Sequence, residues 1–150
     1  IMRKEEIGIQ AASTLINKHS GMIGITGISS DMREIEKAAF EDNNERASLG
    51  LKMYHYRVKK YIGAYMAAMG GADAIVFTGG IGENGPDSRE EICQGLEFAG
   101  VEFDNKKNEA ASGTEAIISK DNSPVKVMVI PTNEELVIAE DTARIVKEIK

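Results

Sequence analysis

The sequence predicts an α/β fold, and three features support that prediction. The continuous apolar run at 74–77 and the mostly apolar run at 125–130, which is interrupted only by Lys126, are typical of strands. Around them, apolar residues recur every three or four positions, which is the spacing of amphipathic helices. The 150 residues are 42% hydrophobic and 28% charged, an ordinary globular composition. We therefore expect one α/β domain over residues 1–150.

The first half of the chain predicts helices separated by glycines. Gly21 is expected to stop the first helix, and Ser29 or Ser30 can cap a later one. The longest helix is apolar on more than one face, so we expect it at the centre of the core. The predicted elements are, in order, a helix over 5–19, a strand or ordered loop over 21–27, a helix over 31–41 and a helix over 44–69.

The second half alternates strands, loops and helices. Its first apolar run carries no polar alternation, which favours a strand buried on both faces. The predicted elements are a strand over 74–77, a glycine-rich loop over 78–85, a helix from Pro86 or from after Ser88 to about 98, a polar loop over 104–114, a hairpin of 116–118 with 125–130, and a helix over 133–148.

Charge and cysteine content exclude several classes of protein. The chain has 18 Lys and Arg against 24 Asp and Glu, a net charge of −6, which argues against a general nucleic-acid binder. The single Cys93 excludes an internal disulfide, and two histidines make a zinc site unexpected. No apolar run is long enough for a membrane span. We expect a cytoplasmic protein, and the opening residues suggest a piece of a longer chain.

The glycine-rich segment after the strand at 74–77 is the strongest candidate for chemistry. Glycines let the backbone approach a ligand closely, and the helix that follows presents free N–H groups, which suits a phosphate or a nucleotide. A purely structural turn is the alternative. Gly80, Gly82 and Gly85 also satisfy the G-x-G-x-x-G spacing of a dinucleotide site, with Asp104 about 20 residues further on.

Two further segments allow both a structural and a functional interpretation. In 27–33, Ser30 or Asp31 can simply cap a helix. In 131–135, Thr132 and Glu135 fit a capping box. The functional alternative for the second segment is a carboxylate that coordinates Mg²⁺ at the end of a strand.

Taken together, the three motifs resemble the acetate kinase family of the actin-like ATPase superfamily. The matching text is GISSDMR at 27–33, FTGGIGEN at 77–84 and IPTNEEL at 130–136. The order and spacing match over essentially the whole chain. The resemblance implies an RNase H-like lobe, with a mixed sheet flanked by helices, that forms the C-terminal nucleotide-binding part of a longer two-lobe kinase.

The resemblance also implies roles for individual residues. Asp31, Met32 and Arg33 would contact the adenosine, and Glu134 would be the glutamate linked to magnesium. The loop around the adenine and the phosphates of ATP or ADP would be formed by Gly80, Ile81, Gly82, Glu83 and Asn84. No catalytic residue is expected in this chain, because the family places the reaction centre on the N-terminal lobe, which also receives acetate.

The implied activity is Mg²⁺-dependent transfer of phosphate from ATP to acetate by a homodimer. We expect this chain alone to be inactive, because such a transfer needs cationic groups from both lobes. Two alternatives stay open. A propionate or butyrate kinase would carry much the same lobe, and a non-catalytic actin-type module would bind nucleotide without transferring phosphate.

Overall fold

The computed structural model describes residues 1–149, which form a mixed α/β structure. Contacts divide the chain into two compact units, Ile1–Ala64 and the part from Tyr65 onward. Within the described residues, the helices are α1 Met2–Glu5, α2 Ile9–Lys18, α3 Met22–Thr26, α4 Met32–Phe40, α5 Glu45–Met69, α6 Gly79–Asn84, α7 Pro86–Cys93, α8 Asn105–Ala110 and α9 Glu134–Ile149. The strands are β1 Ala74–Phe77, β2 Ala116–Ile117 and β3 Lys126–Val129.

The first unit is helical, and its core is small. Met22 and Met32 pack against a buried cluster drawn from α4 and α5, whose members are Ile35, Ala38, Ala39, Ala47 and Leu51. The long helix predicted over 44–69 is confirmed as α5, but the prediction that it lies at the centre of the core holds only for its first half, where its buried residues Ala47, Gly50, Leu51 and His55 lie. The first-turn amide of Ala47 is capped by the Asn44 side chain (3.0 Å).

Two predictions for the first unit are wrong in detail. The helix predicted over 5–19 is broken into α1 and α2, because Glu6 is left-handed (φ 52°) and Gly8 is extended. The segment 21–27 is neither strand nor loop but the single-turn helix α3. It ends at Gly27, whose positive φ of 71° suits glycine at a helix C-terminus.

The second unit contains a three-stranded sheet in the order β1-β3-β2. β1 pairs parallel with β3, with Phe77 opposite Val129, and β2 pairs antiparallel with β3, as the predicted hairpin requires. Val127 and Val129 on the central strand are fully buried. β1 is an edge strand, and Val76 is 48% exposed, so the prediction that this strand is buried on both faces is wrong.

The remaining corrections concern short elements. The glycine-rich loop predicted over 78–85 is mostly helical, as α6, and the polar loop predicted over 104–114 contains α8. Pro86 is the first residue of α7, one of the two predicted starts. This helix ends at Cys93 rather than near 98, because Gln94 leaves the helical region and Gly95 takes a positive φ of 80°. No helix among residues 1–149 is long and apolar enough to cross a membrane.

Candidate functional site

The glycine helix α6 is joined to the segment before α9 by one carboxylate oxygen. Glu83 Oε1 accepts hydrogen bonds from the Gly79 backbone N–H (2.8 Å), the Thr132 backbone N–H (2.8 Å) and the Thr132 hydroxyl (3.0 Å). We call these three hydrogen bonds the Glu83–Thr132 link. It connects residues that lie 49 positions apart and brings two of the three sequence motifs together in the second unit.

The link corrects the structural interpretation of Thr132. A capping box with Glu135 was one prediction, but the Thr132 hydroxyl donates to Glu83 instead. The start of α9 is capped by Asn133, whose side-chain oxygen accepts from the Leu136 N–H (3.0 Å). Glu134 follows directly as the first residue of α9, and its side chain is exposed.

The hydrogen bonds of the link change the acidity of Glu83. Donation from the Thr132 backbone and hydroxyl, followed by Gly79, lowers the pKa of the Glu83 carboxyl below its ordinary value of 4.5. Glu83 is therefore a carboxylate near neutral pH, and its negative charge strengthens the three hydrogen bonds.

Close packing explains one glycine of α6, Gly82, and the glycine that directly follows the helix, Gly85. A Cβ on Gly82 would lie 3.1 Å from the Phe77 backbone, and one on Gly85 would lie 2.7 Å from the Ile81 carbonyl oxygen. The backbone of the motif thus lies against the end of β1 and against itself, where a side chain would collide. By contrast, a Cβ on Gly80 would meet nothing within 4 Å. This position is therefore open to an incoming ligand.

A buried arginine on α7 lies behind this helix. Arg89 is 0% exposed, and its guanidinium donates to the carbonyl oxygens of Gly82 (2.8 Å) and Glu83 (2.9 Å). Burial lowers the pKa of the Arg89 guanidinium. Arg89 is not among the site residues predicted from the sequence. Its spacing from Ile92 and Cys93 nevertheless places it on the buried face of α7, where an arginine is unusual.

The segment Asp31–Arg33 belongs to the first unit and starts α4. The Asp31 carboxylate caps the helix by accepting from the Arg33 N–H (3.0 Å), and it also pairs with the Arg33 guanidinium, with Nη2 2.6 Å from Oδ2. These hydrogen bonds from Arg33 lower the pKa of Asp31 to about 2. The Arg33 side chain is 88% exposed, whereas Met32 packs against the core cluster.

Glu134 is the predicted magnesium-linked residue, and its carboxylate is a suitable ligand for an ion that is also bound by the phosphates of a nucleotide. Among residues 1–149, no three His, Cys, Asp or Glu side chains come together to hold a metal ion. Mg²⁺ is usually bound by one or two carboxylates together with substrate phosphates and water. A single exposed carboxylate at the start of α9 fits that pattern.

Comparison with known proteins gives the family. The sequence model of the Acetokinase family matches residues 1–140. The chain belongs to the acetokinase family. The acetate kinase of Caldanaerobacter subterraneus subsp. tengcongensis is 57% identical over 150 residues, which are all of this chain and 37% of that protein. The chain thus spans little more than a third of this curated relative.

Solved structures of the acetokinase family confirm the predicted fold class. The acetate kinase of Porphyromonas gingivalis superimposes with a TM-score of 0.88 at 53% identity, over 97% of this chain and 36% of that one. A propionate kinase from Francisella tularensis gives a TM-score of 0.80 at 38% identity, over 93% of this chain and 35% of that one. The mixed sheet flanked by helices is thus that of an actin-like ATPase lobe, and the dinucleotide alternative is not favoured.

Proposed function

We propose that this chain is the C-terminal, nucleotide-binding part of an acetate kinase. The Acetokinase family match over residues 1–140 carries the proposal. In the proposed reaction an acetate oxygen attacks the γ-phosphorus of ATP while the bond from that phosphorus to the ADP oxygen breaks. The products are acetyl phosphate and ADP. The single cysteine agrees with a reducing cytoplasm, where we place the reaction.

The proposed nucleotide site uses two motifs. Asp31, Met32 and Arg33 would contact the adenosine, and the residues of α6 from Gly80 to Asn84 would surround the adenine and the phosphates. The open space at Gly80 and the close packing of the backbone at Gly82 and Gly85 support this role for α6. The exposed guanidinium of Arg33 supports a contact role for the first motif, because its planar fork suits a polar or aromatic ligand.

Glu134 would hold Mg²⁺ together with the nucleotide phosphates. When bound, the ion would neutralise charge on the transferring phosphate. The residues of this chain would bind and orient the nucleotide, while the Glu83–Thr132 link would keep Glu134 close to α6. We assign no catalytic residue to the chain, because phosphoryl transfer also needs cationic groups that the family places on the N-terminal lobe.

A hybrid enzyme tests the proposal. Residues 1–149 of this chain replace the matching 36% of the Porphyromonas gingivalis acetate kinase, to which they are 53% identical. We expect the hybrid to form acetyl phosphate from acetate and Mg-ATP. Glu134→Ala in the hybrid should abolish most of that activity, while Glu135→Ala, at the neighbouring position on α9, should retain it. A folded hybrid without activity, beside an active parent enzyme, would contradict the proposal.

Propionate is the second candidate substrate, because a propionate kinase is among the similar structures. The propionate kinase is 38% identical to this chain, whereas the Porphyromonas gingivalis acetate kinase is 53% identical, so we place acetate first. The two candidates share the nucleotide chemistry proposed for this chain. They differ only in the acyl group of the acceptor.

We also propose that the protein forms a homodimer. The long helix α5 supports this, because several of its large apolar side chains are exposed: Leu49, Met53, Tyr56, Tyr61, Tyr65 and Met69. If the interface lies in this part of the protein, the chain should be dimeric by light scattering. A monomer at micromolar concentration would count against it.

A further inference from the structure

Arg89 uses every hydrogen-bond donor that it has. Nε donates to the Asn108 side-chain oxygen (2.7 Å), Nη1 donates to the carbonyls of Gly82 and Glu83, and Nη2 donates to the carbonyls of Asn108 (2.9 Å) and Ala111 (2.7 Å). A guanidinium has five N–H donors in one plane. All five are satisfied inside the protein by neutral oxygens, which requires a closely defined arrangement of the surrounding backbone.

The accepting carbonyls lie at the C-terminal ends of two short helices. Gly82 and Glu83 are in the last turn of α6, while Asn108 and Ala111 are at the end of α8. Carbonyls at a helix end lack the N–H partners of the helix interior, and a buried one is costly unless another group donates to it. The Asn108 carbonyl also accepts from the Ala111 N–H (3.2 Å). One side chain on α7 therefore connects the ends of α6 and α8.

Asn108 completes the arrangement from the other side. It is 1% exposed, and its side-chain N–H₂ group donates to the Pro86 carbonyl (2.9 Å) at the start of α7. The side-chain oxygen of Asn108 accepts from Arg89, which like Pro86 belongs to α7. We call these contacts the Arg89–Asn108 network. It leaves no side-chain polar atom of either residue without a hydrogen bond.

The network fixes the backbone of the residue that makes the Glu83–Thr132 link. The Glu83 carbonyl accepts from Arg89 and from the Gly113 N–H (3.3 Å), while the Glu83 side chain accepts from Gly79 and Thr132. A shift of this backbone would break contacts on both sides. Lysine has only three donors on a flexible stem and cannot reproduce this geometry.

We propose that Arg89, supported by Asn108, is a positioning residue that sets the shape of the nucleotide-binding segment Gly79–Asn84 without touching the nucleotide. The inference rests on the proposed function. It adds a determinant of nucleotide affinity that lies behind the binding surface.

Arg89→Lys and Asn108→Ala in the hybrid enzyme test the inference. The readouts are kcat, the KM for Mg-ATP, the KM for acetate and the thermal unfolding midpoint. We expect Arg89→Lys to raise the KM for Mg-ATP at least roughly tenfold, because the three donors of lysine leave at least two of the five contacts unmade. The KM for acetate should not change. Asn108→Ala keeps four of the five Arg89 contacts and should raise the KM for Mg-ATP by a smaller factor.

Asn105→Ala is the matched control. It removes an α7–α8 hydrogen bond, from Asn105 to Glu90 (2.8 Å), without touching α6. We expect it to leave both KM values unchanged. A merely structural role for Arg89 would lower kcat and the unfolding midpoint through loss of folded enzyme, with both KM values unchanged, and would overturn the inference.

The outcomes also separate the inference from the proposed function. If the unsubstituted hybrid folds but is inactive, both fail. If it is active and the Arg89 and Asn108 variants keep the KM for Mg-ATP, only the inference fails. If Arg89→Lys does not fold, Asn108→Ala decides, and an unchanged KM for Mg-ATP in that variant overturns the inference.

Discussion

Glu83 gathers three hydrogen bonds on a single oxygen, so its charge state should affect stability. Its folded pKa lies below the ordinary 4.5 because Thr132 and Gly79 donate to the carboxylate. A carboxyl with a depressed pKa stabilises the folded state fully above its unfolded pKa. That contribution is lost as the pH falls through the lower, folded value.

Glu83→Gln should therefore show a stability deficit that depends on pH. Glutamine keeps an oxygen that can accept from the same donors but lacks the charge that strengthens the bonds. We expect the thermal unfolding midpoint of the wild type to be higher than that of the variant from neutral pH down to about 4.5. The difference should shrink under further acidification, as followed by thermal unfolding at a series of pH values.

Glu109→Gln is the control for net charge. It removes the same charge from an exposed position on α8 that makes none of the three hydrogen bonds of the Glu83–Thr132 link. The excess loss in Glu83→Gln over Glu109→Gln measures the Glu83–Thr132 link. An equal loss in the two variants at every pH would show that Glu83 contributes only net charge.

Two glycines in α5 have opposite surroundings although they lie in one helix. A Cβ on Gly50 would lie 2.6 Å from Thr26 Cγ2 of α3, whereas one on Gly63 would meet nothing within 4 Å. Thr26 cannot move aside easily, because it is 4% exposed and its hydroxyl donates to the Met22 carbonyl (2.8 Å). Gly50 therefore permits the close approach of α5 to α3 in the first unit.

Alanine at these two positions should change stability in opposite directions. Gly63→Ala should stabilise the chain by up to about 1 kcal/mol, the helix-propensity difference between the two residues. At Gly50 the same gain is outweighed by overpacking, which typically costs about 1–3 kcal/mol. We expect Gly50→Ala to lower the free energy of unfolding, measured by urea denaturation. A stabilised Gly50→Ala variant would contradict this prediction, because it would show that α3 can move away from α5 without a loss of stability.

The long and strongly patterned elements could be predicted from sequence. α5 shows seven turns of apolar spacing, and the hairpin of β2 and β3 has a polar turn between apolar runs. The helices α3, α6 and α8 could not be predicted, because each has only five or six residues, too few to show a period. Tertiary contacts such as those of Arg89 hold α6 and α8 in place.

The candidate site could be predicted only as far as its motifs. The motifs that contain Glu83 and Glu134 are continuous in sequence and can be recognised there. The hydrogen bond from Thr132 to Glu83, by contrast, joins residues 49 positions apart. Thr132 fits a capping box equally well on sequence, and only the folded backbone decides against it. Arg89 lies in α7, an eight-residue helix in which most residues are polar, so the hydrophobic pattern of the sequence is too weak to predict that Arg89 is buried.

For the whole molecule, the acyl preference should follow the part of the enzyme outside this chain. We propose that this chain binds nucleotide, so exchanging it should leave the acceptor site of the recipient unchanged. Hybrids made in the Porphyromonas gingivalis acetate kinase and in the Francisella tularensis propionate kinase should each keep the kcat/KM ratio for acetate over propionate of their recipient. A ratio that follows the inserted chain would place acyl-selecting residues within it.

The chain by itself should lack kinase activity. Phosphoryl transfer depends on positioning and on cationic groups around the transferring phosphate, and the proposed site in this chain supplies a nucleotide surface and one magnesium-linked carboxylate. We expect the folded 150-residue chain to form no acetyl phosphate from acetate and Mg-ATP. The hybrid enzyme, assayed at the same concentration, is the positive control.

Amide shifts on titration with Mg-ADP distinguish two reasons for that inactivity. Shifts at 31–33 and 80–84 would mean that the nucleotide surface forms in the isolated chain and that only the catalytic groups are missing. A folded chain with unchanged shifts would mean that nucleotide affinity itself depends on the remaining lobe. Acetyl phosphate formed by the purified chain would refute the prediction, because residues within it would then have to stabilise the transferring phosphate.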